Sequence, residues 1–268
     1  MTGPVFTVNV GNTNLSLARC GVQESGSISV ARHGAWPTRA VLDDDPATRA
    51  AFLAALAAGG ATDDAPVPLH VGCVVAAAVP VLARWTAAAG RPARFVTHAD
   101  LPLRVDVPAP DRVGVDRLLN CAAAWRRFHR DCLVVDLGTA VTYDLVVAPG
   151  VFVGGVIAPG LETLSHALPA RTALPYVAPE PTEVVLGRDT PACLRAGLWF
   201  GFLGQLEAVV GHLSESGRLS QAGRLSQAGR LATPLILLTG GAAPLVSPYL
   251  SFPHQVLPDL THEGLALA

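Results

Sequence analysis

The chain is 268 residues long, half of them apolar, with a net charge of −2 and only 15% charged residues; it can bury the core of one large domain or two ordinary ones, and its charge gives no basic footprint for nucleic acid or an anionic membrane. All 19 of its Lys and Arg positions are arginine, which excludes a Walker-type P-loop and Schiff-base catalysis, since both depend on lysine. The five cysteines, Cys20, Cys73, Cys121, Cys132 and Cys193, lack C-x-x-C spacing, and the longest apolar stretch, around Val71 to Leu82, is broken by Pro80, so a cytoplasmic chain with reduced thiols and no membrane partner is expected.

Residues 5–10 and 14–20 read as strands joined by Gly11-Asn12-Thr13 in a β-hairpin. A helix is predicted at 46–58, capped by Asp45 ahead of Pro46 and ending at Gly59-Gly60. His70 to Val75 reads as a buried strand, Pro80 to Ala89 as a helix and Arg94 to Val96 as a strand, an alternating α/β pattern. Pro108, Pro110 and Gly114 mark a loop that leads into a helix from Asp116 to Phe128.

Strands at 132–136 and 141–147 repeat the opening hairpin, and Val151 to Ala158 reads as another strand. A helix at 161–168 stops before Pro169, and Thr190 to Val210 reads as a long apolar helix. Gly197, Gly201 and Gly204 within it are small enough for another helix to approach. The hexapeptide Gly217-Arg218-Leu219-Ser220-Gln221-Ala222 recurs at 223–228 and begins again at 229–231; a period of six fits neither helix nor strand, so a surface loop is expected. Leu235 to Leu238 is a last core strand ending in Thr239-Gly240-Gly241.

Two of these strands run into related turns, Asn9-Val10-Gly11-Asn12-Thr13 and Asp136-Leu137-Gly138-Thr139. Glycine lets the backbone turn tightly beside a ligand, and the flanking N–H groups and the threonine hydroxyl can donate to phosphate oxygens. Two such turns, each after an apolar strand, suggest similar halves gripping one polyphosphate. Asp136 beside a phosphate calls for an intervening cation, because two anions at close range repel strongly. Asn9 offers a carbonyl oxygen without charge, so cation binding there should be weaker. Asx turns closing the two strands are the structural alternative. At Gly114-Val115-Asp116-Arg117 a helix start, which attracts anions, carries a carboxylate able to accept a hydroxyl proton and a guanidinium able to pair with a carboxylate.

Taken together, Val5 to Asn14, Pro110 to Arg117, Asp136 to Ala140, Gly154 to Gly160, Gly187 to Thr190 and Thr239 to Gly241 resemble, in order and spacing, the type III pantothenate kinase family. The resemblance covers nearly the whole chain. It implies an α/β fold of the actin, sugar-kinase and heat-shock chaperone superfamily, two ribonuclease-H-like domains around a nucleotide cleft, paired as a homodimer. The boundary is expected between an N-terminal domain at 1–115 and a C-terminal domain at 116–268. The implied activity is ATP-dependent phosphorylation of pantothenate to 4'-phosphopantothenate, the first step toward coenzyme A, with Mg²⁺ and a monovalent cation such as K⁺ or NH₄⁺.

By motif, Asn9, Val10, Gly11, Asn12, Thr13, Asn14, Leu15 and Ser16 would hold the ATP phosphates, Thr139 would add a hydroxyl, and Gly240 and Gly241 would lie near the nucleoside. Gly114, Val115, Asp116, Arg117 and Thr190 would hold pantothenate, with Asp116 as proton acceptor, and Asp136 would ligate the monovalent cation. The chain departs from the family at two places. Asn9 stands where an aspartate helps hold Mg²⁺, and Val107 where a tyrosine contacts pantothenate. These departures leave two further readings, a catalytically weak nucleotide-binding regulator and a kinase for another small polar alcohol.

Overall fold

The computed structural model describes residues 3–23, 27–59, 67–214 and 233–268, so the repeat at 217–231 and Gly60 lie outside the described residues. The chain divides into two units, one made of Met1–His129, Pro149–Val153 and Asp259–Ala268, the other of Arg130–Ala148 and Gly154–Pro258.

In the first unit, β1 (Pro4–Val10) pairs antiparallel with β2 (Asn14–Val22), which pairs antiparallel with β3 (Ile28–Pro37). On the other side β1 pairs parallel with β4 (Leu69–Cys73), and β4 with β5 (Arg94–Phe95), giving the order β3-β2-β1-β4-β5. Phe6, Val8 and Val10 alternate on one face of β1 and are fully buried with Leu15, Leu17, Phe52 and Trp85. Burying each such side chain contributes about 1.5–3 kcal/mol, which is what fixes the hairpin's register. Three helices surround this core: α1 (Thr38–Leu42), α2 (Pro46–Gly59) and α3 (Val79–Ala88). Asp45 caps α2 as expected, its carboxylate accepting from the Thr48 N–H at 2.7 Å.

The helix α4 (Val115–Phe128) also belongs to this unit, which extends past the 115/116 boundary expected from sequence. The physical reason is close packing. A methyl at Gly72 of β4 would meet the Leu119 side chain at 2.8 Å, and one at Gly264 would overlap the Leu119 backbone. Only glycine at 264 leaves room for the Leu119 backbone, so α4 packs directly on the C-terminal helix, and it also lies against β4 at Gly72. The short strand β6 (Arg104–Val105) pairs parallel with Val151 and Phe152, which carries residues 149–153 into the first unit as well.

In the second unit, β7 (Cys132–Leu137) pairs antiparallel with β8 (Ala140–Val147) and parallel with β10 (Leu235–Thr239), and β10 pairs parallel with β11 (Gln255–Val256). Its strand order is β11-β10-β7-β8-β9, where β9 is Val151–Pro159. Around its first strand the order β9-β8-β7-β10-β11 repeats that of the first unit around β1. An antiparallel hairpin on one side and parallel strands on the other is the ribonuclease-H-like arrangement, present twice.

Helices α5 (Leu161–Ala167) and α6 (Thr190–Ser214) follow, then α7 (Ala243–Val246) in the second unit and α8 (Leu260–Leu265) in the first. The sequence pattern misses β3, whose exposures alternate poorly and whose pairing with β2 shifts between Leu17 and Ala18, as expected of a bulged edge strand. It also misses α1, β6, β11, α7 and α8, each too short for periodicity to register.

One expectation about α6 is corrected. At 25 residues it is the one helix among those described that is long and apolar enough, by length and composition, to cross a bilayer. Trp199, Phe202, Leu206 and Val210 nonetheless form a buried stripe along it. On its other face a methyl at Gly197, Gly201 or Gly204 would meet nothing within 4 Å, so no helix among the described residues approaches there.

Candidate active site

Each glycine turn is built where an antiparallel hairpin leaves its first strand. In the first unit the Gly11 N–H donates to the Asn14 carbonyl at 3.0 Å, and the Thr38 hydroxyl donates to the Gly11 carbonyl at 2.7 Å. The Thr38 N–H donates to the Thr13 carbonyl at 2.8 Å, so α1 braces the turn from behind. Asn12, Thr13 and Asn14 are exposed and Asn9, Gly11 and Ser16 half-buried, whereas Val10 and Leu15 are packed in the core. Of the eight residues expected at the ATP phosphates, Val10 and Leu15 can therefore offer only main-chain groups.

The second unit assembles its turn from three segments. Asp136 and Thr239 are register partners at the ends of the parallel strands β7 and β10, so Gly138-Thr139 and Gly240-Gly241 emerge side by side. Gly240 has φ +89°, and a methyl there would overlap the Asp136 carboxylate and the Leu137 backbone. Gly160 lies against Gly138 and Thr139, its N–H donating to the Thr139 carbonyl at 3.0 Å, with no room for a side chain. The Thr163 hydroxyl donates to the same carbonyl at 2.5 Å. This close-packed backbone leaves Asp136 at the mouth of the turn. The tertiary structure thus gathers Asp136, Thr139, Gly240 and Gly241, and it adds Gly160.

Asp144 was not singled out from sequence. It follows Thr142 by two in β8 and so shares a sheet face with Asp136, which is opposite Thr142. It is buried and accepts a hydrogen bond from the Thr142 hydroxyl at 2.8 Å. The Thr-x-Asp alternation on a hairpin already marked by Asp136 is the available signal.

Gly114 sits at the N-cap of α4, and Asp116 and Arg117 occupy its first turn. Asp116 Oδ1 accepts from the Arg117 N–H at 2.8 Å, and a methyl at Gly114 would press on that oxygen at 2.7 Å. Burial raises the Asp116 carboxyl above its ordinary range, opposed by the Arg117 N–H and charge. The Arg117 guanidinium stacks over the Phe152 ring at 5.6 Å. Val107 is half-buried in the same unit.

Thr190 begins α6, where Asp189 Oδ1 accepts from the Ala192 N–H at 2.8 Å. The loop before it and the helix line an open groove of about 480 Å³ formed by Leu174, Gly187, Arg188, Asp189, Thr190, Cys193 and Leu194. Among the described residues, no three His, Cys, Asp or Glu side chains are grouped to hold a metal.

The family model for type III pantothenate kinase matches residues 5–212. The chain belongs to the type III pantothenate kinase family. Family members from Dinoroseobacter shibae and Mycobacterium avium are 37% and 39% identical to it over 167 and 168 residues, 62% of this chain in each case. The matched stretch spans 60% and 58% of those two relatives' own lengths. A crystal structure of a Baf family protein from Campylobacter jejuni has a similar fold at 14% identity, with a TM-score of 0.54 over 98% of this chain and 96% of that one. The match to the kinase family therefore runs through both glycine turns, the start of α4 and the start of α6.

Proposed function

We propose that this chain is an ATP-dependent pantothenate kinase that transfers the γ-phosphoryl group to the primary hydroxyl of pantothenate, forming 4'-phosphopantothenate at the start of coenzyme A synthesis. Membership of the family, through a match that includes Gly114-Val115-Asp116-Arg117, is the observation that carries this reading. Residues 9–16 and Thr139 take the phosphates through N–H and hydroxyl donors, with Gly240 and Gly241 beside the nucleoside. The start of α4 and Thr190 take pantothenate, and Arg117 pairs with its carboxylate because a planar guanidinium binds such groups bidentately.

Asp116 is the proton acceptor in this reading. Phosphoryl transfer needs positioning and charge neutralisation more than covalent help, and the acceptor hydroxyl must shed its proton to a base within hydrogen-bond reach. A carboxyl raised by burial is better matched to neutral pH than an ordinary one, which supports the assignment.

Mg²⁺ held between ATP phosphates takes only one or two protein carboxylates and keeps several waters. The Asp136 carboxylate beside Gly138 fits that chemistry, and a closed protein cage is not needed. Bound there, the divalent ion would neutralise charge on the transferred group. Asp136 would also hold the monovalent cation, so activity should depend on K⁺ or NH₄⁺.

Val185 and Leu186, 73% and 85% exposed, and the bare glycine face of α6 support a homodimer in which a second copy covers apolar surface of the second unit. The cytoplasm and a lack of nucleic-acid or membrane partners complete the reading. Asn9 favours a second reading, a weak nucleotide-binding regulator, because it removes charge from the metal shell. ADP release measured with and without pantothenate decides. Pantothenate-dependent release supports the kinase, acceptor-independent or absent release with intact nucleotide binding supports the regulator, and release driven by another alcohol supports an altered acceptor.

A further inference from the structure

Within the first unit, the segment 149–153 is clamped against α4 at two points. Arg117 and Trp125 stand eight residues apart on α4 and so share one helix face. Arg117 lays its guanidinium over the Phe152 ring at 5.6 Å. Trp125 lies against Gly150, whose φ of +86° and missing side chain admit the indole; a methyl there would meet it at 2.7 Å.

Phe152 is held from every side. Its side chain is 1% exposed, and Val105 of β6 is its register partner. The Arg104 N–H donates to the Gly150 carbonyl and the Asp106 N–H to the Phe152 carbonyl, each at 2.9 Å. A ring packed on that backbone is a fixed platform. Arg117 is only half-buried, and a long side chain at a helix start has rotamer freedom to lose when it binds a carboxylate. Stacking occupies a face of the planar guanidinium, whereas a carboxylate is bound along its edge through paired N–H groups, so one arginine can do both at once.

We propose that Phe152 is a positioning residue for acceptor selection. Its ring holds Arg117 in the orientation that captures the acceptor carboxylate, and so sets the preference for an acidic acceptor over a neutral one of the same shape. Ordering the guanidinium in advance spares that cost on binding. This rests on the kinase reading and deepens it by naming what makes Arg117 selective.

The test compares kcat/KM, from ADP release at saturating ATP, for pantothenate and for pantothenol, in which a hydroxymethyl group replaces the carboxylate. The wild type is set beside Phe152→Leu, Phe152→Met and Phe152→Tyr. Leucine and methionine fill the buried site without a π face, and tyrosine keeps the face. The ratio of the two kcat/KM values should fall about threefold to tenfold in Phe152→Leu and Phe152→Met, the range of one cation–π contact, and stay within about twofold of wild type in Phe152→Tyr. The fall should appear as a higher KM for pantothenate, because the carboxylate is bound alike before and during transfer.

A loosened core lowers both values together, so an unchanged ratio in Phe152→Leu and Phe152→Met overturns the proposal and leaves the kinase reading intact. An equal fall in Phe152→Tyr, or a wild type indifferent to the carboxylate, does the same. Should one apolar variant fold poorly, the other carries the comparison; should pantothenol not be turned over, its inhibition constant against pantothenate replaces its kcat/KM. A wild type that phosphorylates neither compound overturns both the proposal and the kinase reading.

Discussion

Acidification should unlock the first unit through His262, and the size of the effect follows from its surroundings. The ring is buried between α8 and the β1–β2 hairpin, where Nδ1 lies 2.8 Å from Thr7 Oγ1 and Nε2 3.0 Å from Ser16 Oγ, and its pKa falls from 6.5 to about 4. Charged and titratable groups near it are Arg32 on β3, Cys20 on β2, and Asp259 and Glu263 at α8. A histidine with a depressed folded pKa binds fewer protons folded than unfolded, so its contribution is complete above about pH 6.5 and lost as pH falls toward 4. A shift of this size corresponds to about 3 kcal/mol, roughly 2 kcal/mol of it gone by pH 5. Urea unfolding from pH 7 to 4 should show the wild type losing that much more stability than His262→Gln, which has no proton to gain. Parallel pH profiles for the two proteins would refute the reasoning and mean that His262 titrates alike in both states.

Asp116→Asn should lower turnover about 100-fold or more with ATP binding retained. Its stability at pH 7 should not fall, since burial disfavours the ionised carboxylate while the amide oxygen can still accept from Arg117; a melting curve beside the rate assay checks both, and near-normal turnover ends the assignment. Asn9→Asp restores charge to the metal shell and should raise turnover at limiting Mg²⁺ about tenfold, equivalent to about 1.4 kcal/mol; a Mg²⁺ titration showing no gain moves suspicion to Val107. Gly160→Ala should destabilise the protein by about 1–3 kcal/mol because the methyl overlaps the Gly138 and Thr139 carbonyls; denaturant unfolding indistinguishable from wild type would show that the turn can give way.

Both hairpins, both glycine turns and the start of α4 are legible in the sequence, because each is specified by neighbours in the chain. Buried apolar Phe6, Val8 and Val10 mark β1, glycine punctuates its end, and buried Leu133, Val134 and Val135 mark β7 in the same way. Family motifs are contiguous for the same reason. Val10 and Leu15 illustrate the limit, since a motif names a stretch of chain but the pleat decides which side chains face the core.

Only the tertiary structure decided that α4 and the last ten residues belong with the first unit, through Gly72 and Gly264 against Leu119. It alone set Gly160 against the second turn and Asp136 beside Gly240. His262, 246 residues from Ser16 in the chain, gives no local signal at all. Periodicity and turn chemistry report interactions over a few residues, whereas these contacts join segments that meet only after the sheets have formed.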